Sequence, residues 1–257
     1  MKVVILCGGR GTRLHEETEF RPKPMVPIGD RPILLHIMEG FARHGFKEFV
    51  LCLGYKGEII RNYFLNFPAM TADFTVDLGT GVVESTRGLH YDWKVTLVNT
   101  GIPTGTGGRI KRVQRFLDKG PFMMTYGDGL ADLDIKALVE HHRHMGRLAT
   151  VTGVRGTSRF GVIETKGSGL VDGFKEKPLL DGLVSGGFFV FEPGIMDYLT
   201  DDCVLEEEPL ETLASNAQLA LYPHQGFFLS MDTYRDYLML NKMFEAGHTP
   251  WIKDGPA

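Results

Sequence analysis

The sequence predicts an α/β fold: a mixed, mainly parallel sheet flanked by helices, with a smaller lobe grown from the same sheet. Two observations carry this. Strand-like and helix-like segments alternate through roughly the first 147 residues, which is the pattern of parallel strands covered on both faces. From about Leu148 the pattern changes to short strands, followed by two helix-like segments, with no Pro, Gly or Ser linker between the halves. We therefore expect one domain over 1–257, with a first half to about 147 and a second half from about 148 that ends in a helix.

The elements follow in order. Lys2–Cys7 is a short apolar run and reads as a strand. Arg31–His44 is helical, because Ile33, Leu34, Ile37, Met38 and Phe41 fall on one face. Phe46–Leu53 is a strand and Lys56–Phe67 a helix. Residues 69–92 show no clear period and read as an irregular excursion or surface arm. Val95–Asn99 is a strand, and Gly107–Leu117 a helix with Ile110, Val113, Phe116 and Leu117 inward. Phe122–Tyr126 is a strand and Ile135–Gly146 a helix. Short strands follow at Ala149–Val154, Gly161–Thr165 and Gly187–Phe191, then helices at Glu207–Asn216 and Thr233–Glu245.

Composition narrows the function classes. Apolar residues make up 43% and charged residues 23%, so a buried core is available. The net charge of −4 argues against a general nucleic-acid surface. Cys7, Cys52 and Cys203 have neither paired nor metal-ligand spacing, and read as free thiols in a reducing compartment. The first apolar run is too short for a signal-peptide core and no segment approaches a membrane span. These readings predict a cytoplasmic protein with neither nucleic acid nor membrane as partner.

The segment Leu6–Met25 is the densest in chemistry. It holds Gly8, Gly9 and Gly11, then Thr12 and Arg13, and it ends with Lys23 between Pro22 and Pro24. A strand that runs into such a loop presents free backbone N–H groups beside fixed cations, and its natural guest is a polyphosphate. Glycine permits close backbone approach and positive φ. Arg13 offers a bidentate fork and Lys23 a point charge held by its prolines. The loop is not a dinucleotide fingerprint, since no third glycine follows Gly9 and Gly11 in the required place. Nor is it a Walker loop, because the chain has no Gly-Lys dipeptide. His15-Glu16 starts like a zinc-protease motif, but Glu19 stands where the second histidine is needed. The run His141–His144 reads as a solvated surface, since adjacent helical residues face different ways.

Three further groups stand out. Asp128 lies between Gly127 and Gly129 after an apolar strand, where open α/β sheets bind ligands; it suits Mg²⁺, and equally a plain turn. Asp232 follows the apolar segment Gly226–Met231 and could join Asp128 on the same ion, or simply cap the helix behind it. In Phe174–Pro178, Glu176 could accept from sugar hydroxyls and Lys177 could contact a phosphate, although such a segment is also an ordinary solvated strand end.

In order and spacing, these pieces resemble the sugar-1-phosphate nucleotidyltransferases over residues 1 to about 245: Leu6–Leu14, Pro22–Met25, Gly127-Asp128-Gly129, Phe174–Pro178 and the Gly-Gly-Phe-Phe strand at 186–189. Trp93–Gly101, Thr106–Val113 and Tyr126–Asp134 are similar to the family's cytidylyl branch. The resemblance implies a Rossmann-like nucleotide-diphospho-sugar transferase fold with a sugar-binding second half. It implies transfer of CMP from CTP to a sugar 1-phosphate, α-D-glucose 1-phosphate in this branch, with Mg²⁺ as cofactor. Arg13, Lys23, Asp128 and Lys177 would be catalytic. Leu6, Gly8, Gly9, Gly11, Thr12, Thr106, Gly108, Arg109 and Gly127 would hold the nucleotide, Thr106 to Arg109 reading base and ribose. From the residues themselves, Gly107 and Gly108 would open a helix and let a flat base approach the backbone. Gly161 (with Arg159 beside it), Glu176, Lys177 and Gly187 would hold the sugar phosphate, and Asp128 with Asp232 the metal. A homo-oligomer, hexameric or built from trimers, is implied too, with 69–92 as a contact arm. Cys7 stands where the family usually has alanine, and Arg21 where lysine is common. Rival readings are a nucleotidyltransferase with another acceptor or another pyrimidine triphosphate, and a silent nucleotide-sugar-binding regulatory subunit. A Rossmann oxidoreductase is disfavoured by the missing glycine.

Overall fold

A computed structural model describes residues 1–85, 91–158, 160–167 and 169–252. Seven strands form its central sheet: β1 (Val3–Cys7), β2 (Glu48–Leu53), β3 (Lys94–Asn99), β4 (Phe122–Tyr126), β5 (Ala149–Thr157), β6 (Leu179–Phe191) and β7 (Leu219–His224). Their order is β7-β5-β6-β4-β1-β2-β3. β6 alone runs antiparallel to its neighbours, β4 and β5; every other pairing in the sheet is parallel. The sheet is therefore mixed and mainly parallel, and it continues through both halves of the chain.

The six longer helices are α1 (Ile33–Arg43), α2 (Gly57–Leu65), α3 (Thr106–Val113), α4 (Ile135–Met145), α5 (Glu208–Ser215) and α6 (Tyr234–Glu245). They divide between the two faces. Val3, Ile5 and Cys7 of β1 point into a core with α1, α2, α4 and α6. Val4 and Leu6, alternating with them, point into a second core with α3 and α5. A strand buried on both faces reads as an unbroken apolar run, and β1, wholly buried from Val3 to Cys7, does so.

Several expectations change. Residues 69–92 begin within a short helix, Phe67–Thr71, and continue into an exposed hairpin, Phe74–Val76 with Val83–Ser85; residues 86–90 lie outside the described residues. The strand expected at Gly187–Phe191 begins at Leu179, because β5 pairs along its length with two register shifts. His142 is buried, not solvated: with Leu138 and Val139 it forms the inner face of α4, and it bonds Thr150 Oγ1 at 2.8 Å. Glycine at 107 and 108 makes room for the chain itself. A Cβ at Gly107 would lie 2.5 Å from Cys203 Sγ, and one at Gly108 2.5 Å from the Asp201 carbonyl. The space expected to admit a base is filled by residues 201–203.

No helix among the described residues is long and apolar enough to cross a membrane.

Candidate active site

A cleft of about 390 Å³ opens at the carboxyl ends of β1 and β4. Leu6, Gly8, Gly9, Gly11, Thr12 and Arg13 line it from the loop after β1. Gly11 takes φ +62°, a left-handed conformation that a side chain would strain. Its carbonyl accepts from Leu14 N–H at 2.9 Å and from Thr18 Oγ1 at 3.1 Å, which closes the loop onto the helical turn His15–Thr18.

Arg109 fastens the start of that loop from behind. It is 3% exposed and its guanidinium reaches five acceptors: the carbonyls of Gly8, Leu53, Gly101 and Ile102, and Thr100 Oγ1. Burial holds this guanidinium below its usual range, with the Cys52 and Cys7 sulfurs acting the other way. Gly8 has no room for more, since a Cβ there would lie 1.9 Å from Arg109 Nη1. Arg109 borders the cleft, but its head group is engaged by protein oxygens.

Lys23 is placed by its prolines. Pro22 is extended, at φ −68° and ψ 148°, and Lys23–Met25 forms a single 3₁₀ turn. Pro24 packs against Gly127, where a Cβ would come within 2.7 Å of its ring. Lys23 Nζ thereby reaches Asp128 Oδ2 at 2.6 Å and Asp232 Oδ1 at 2.9 Å. Arg13 Nη2 meets the same Asp232 oxygen at 3.0 Å. Burial pulls the Lys23 ammonium down, but the two carboxylates outweigh it and hold the group above its ordinary range.

What brings Asp128 to Asp232 is a small sheet. Gly129–Ala131 pairs antiparallel with Phe228–Ser230, in the register Ser230 to Gly129, and Met231 N–H donates to the Asp128 carbonyl at 2.9 Å. Asp232 is not the cap of the helix that follows. Thr233 caps α6, in a reciprocal capping box with Asp236, which leaves the Asp232 carboxylate to the cluster. Two hard oxygen donors thus converge on a single point. No group of three or more metal-ligating side chains occurs among the described residues. Two carboxylates suit a cation that takes the rest of its shell from water and phosphate oxygens, as Mg²⁺ does.

The opposite wall is formed by Thr104–Thr106, Val204 and Tyr126. The Thr106 hydroxyl is spent within the protein: it accepts from Leu205 N–H at 2.8 Å and donates to Glu206 Oε2 at 2.5 Å. Tyr126 OH donates to Glu206 Oε1. Glu206 went unnoticed in the sequence because it stands in the acidic run Glu206–Glu208, which looks like a solvated helix start. Gly108, expected at the nucleotide, does not border the cleft.

The expected sugar residues sit apart from the cation cluster. Gly161 packs against Phe174, beside the hairpin Val162–Thr165 and Val171–Lys175. Glu176 and Lys177 are exposed and pair with each other at 3.1 Å, Lys177 at φ +44°. None of the three borders the cleft. Gly187, at φ +74°, lies against the Tyr126 ring. Arg159 lies outside the described residues.

Comparison with known proteins now decides the family. A family model described as nucleotidyl transferase matches residues 2–227. The chain belongs to the nucleotidyl transferase family. Among nucleotidyl transferases it is 46% identical to a glucose-1-phosphate cytidylyltransferase of Salmonella typhimurium over 254 residues, 98% of each chain. It is 44% identical to a protein of Bacillus subtilis named "probable glucose-1-phosphate cytidylyltransferase", over 98% of this chain and 99% of that one. Among solved structures, HddC from Yersinia pseudotuberculosis superposes with a TM-score of 0.69 at 26% identity, covering 95% of this chain and 99% of HddC.

Proposed function

We propose that this nucleotidyl transferase moves CMP from CTP to α-D-glucose 1-phosphate, releasing pyrophosphate and forming CDP-glucose. One observation carries the nucleotide half: Arg13, Lys23, Asp128 and Asp232 meet at the cleft beside the Gly8–Arg13 loop. The cytidylyltransferases that match nearly the whole chain support the choice of base and sugar.

The reaction needs no covalent nucleophile. A phosphate oxygen of the sugar 1-phosphate attacks the α-phosphorus of CTP in line, the bond to the β-phosphate breaks, and pyrophosphate leaves with the electron pair. The protein aligns two polyanions and neutralises their charge. Backbone N–H groups of the loop cradle the phosphates, Arg13 takes up charge on the departing pyrophosphate, and Lys23 lies near the α-phosphate. Leu6, Gly9, Thr12, Thr106, Arg109 and Gly127 form the nucleotide side. Asp128 and Asp232 would hold Mg²⁺, which when bound supplies charge neutralisation to the phosphate oxygens. Since Lys23 occupies both carboxylates without nucleotide, its ammonium has to turn toward the phosphates as substrate enters. Lys177 would orient the attacking phosphate and Glu176 grip the sugar, beside Gly161 and Gly187, which requires their mutual ion pair to part and the two side chains to turn to the cleft. The second half of the chain, from about 148, is the sugar half. The enzyme works in the cytoplasm as a homo-oligomer, hexameric or built from trimers, with residues 69–92 as a contact arm, in whose described part Phe74, Val76 and Val83 are exposed.

The test is Mg²⁺-dependent pyrophosphate release, with CTP, UTP, dTTP, GTP and ATP crossed against a panel of sugar 1-phosphates. CTP with glucose 1-phosphate is expected to be the best pair. No release with any pair would overturn the reading.

A further inference from the structure

Glu206 has no role in the scheme above, yet it joins two residues of the cleft wall. One oxygen accepts from Tyr126 OH and the other from Thr106 Oγ1, at 2.5 Å. Both partners are neutral, and no cation pairs with Glu206 among the described residues. Glu206 is exposed and stands behind the cleft lining, reaching it through Thr106 and Tyr126, so water meets its carboxylate until a ligand donor takes that water's place. The phosphates are drawn to Arg13 and Lys23, so the nucleoside is left facing the Thr104–Thr106 wall. On the same wall the guanidinium of Arg109 is engaged by protein oxygens, and the Asp202 carboxylate accepts from Gly105 N–H at 3.1 Å.

The two pyrimidines differ there in one way that a carboxylate can sense. Cytosine presents an exocyclic amine, a donor; uracil presents a carbonyl oxygen, an acceptor. A carboxylate has about four acceptor sites, and Tyr126 and Thr106 occupy two of them. We propose that Glu206, held in place by Tyr126 and Thr106, is the specificity-determining residue that accepts from the cytosine amine and repels the uracil carbonyl. This deepens the cytidylyl reading and rests on it. Tyr126 and Thr106 act here as positioning residues that fix the carboxylate.

The experiment measures CTP and UTP binding by titration calorimetry for wild type, Glu206→Gln and Glu206→Asp, without sugar phosphate. Wild type is expected to prefer CTP. Glu206→Gln, close to isosteric, is expected to lose about tenfold or more of that preference, because its amide can serve either base. Glu206→Asp keeps the charge but withdraws it by a methylene, and retains part of the preference. An unchanged CTP-to-UTP ratio in both variants would overturn the proposal. So would equal weakening of both nucleotides, which would place Glu206 on the ribose or in a purely structural role. A wild type that binds both nucleotides equally, and releases no pyrophosphate from CTP with any sugar 1-phosphate, would instead defeat the cytidylyl reading itself.

Discussion

Replacing Lys23 by methionine removes the ammonium between Asp128 and Asp232 while keeping a side chain of similar length. The carboxylates lie 2.6 and 2.9 Å from one nitrogen and are 22% and 24% exposed. Left alone at about 5 Å, two such charges repel by roughly 3 kcal/mol at an effective dielectric constant of about 20. Solvent and Arg13 relieve part of this, so the metal-free variant should be destabilised by about 2 kcal/mol, or about 4–8 °C in melting temperature for a chain of this size. Mg²⁺ should restore more stability to the variant than to wild type, because it replaces a missing charge and does not have to displace one. Turnover should fall by about 10²–10³, as when one preorganised electrostatic donor is lost. The assay is thermal unfolding with and without MgCl₂, beside pyrophosphate release. An unchanged melting temperature, or turnover close to wild type, would refute the reasoning.

Other residues give independent checks. Arg109→Lys keeps the charge but cannot reach the acceptors its fork now holds; CTP binding should weaken by about tenfold and thermal stability should fall, measured by titration and melting. Thr233→Ala removes the cap of α6 and should cost about 1 kcal/mol in urea unfolding. Burial holds His142 below the ordinary imidazole range, although Glu192 pulls it up, and burial also lowers His36. The unfolded chain then takes up protons first, near its ordinary value of about 6.5, so stability should fall as pH drops from 7.5 to 5.5. His142→Gln should flatten that slope, read from urea midpoints at the two pH values.

Much of the core was legible because its periods are local. α1 shows its buried stripe at Ile33, Leu34, Ile37, Met38 and Phe41, and β1 and β4 are unbroken apolar runs. β7 was not legible, since an edge strand with alternating exposure and Pro223 carries no strong signal. The start of β6 was hidden by Gly182, Gly186 and Gly187, which weaken any strand pattern. Within the site, the Gly8–Arg13 loop and Lys23 could be read from spacing. The meeting of Asp128 with Asp232 depends on Gly129–Ala131 pairing with Phe228–Ser230, about a hundred residues apart, and no local pattern announces such a pairing. Tertiary contact also gives Arg109 its role: α3 points it back beneath the loop after β1, where Gly8 and four other groups take its hydrogen bonds.

The most direct test of the central claim, that Asp128 and Asp232 form the metal-dependent phosphate end of a CTP site, is the Mg²⁺ titration of pyrophosphate release from CTP and glucose 1-phosphate by Asp128→Asn. The account predicts a rate at limiting Mg²⁺ lower by about 10²-fold, with part of it recovered at high Mg²⁺. Wild-type turnover by Asp128→Asn at limiting Mg²⁺ would contradict it.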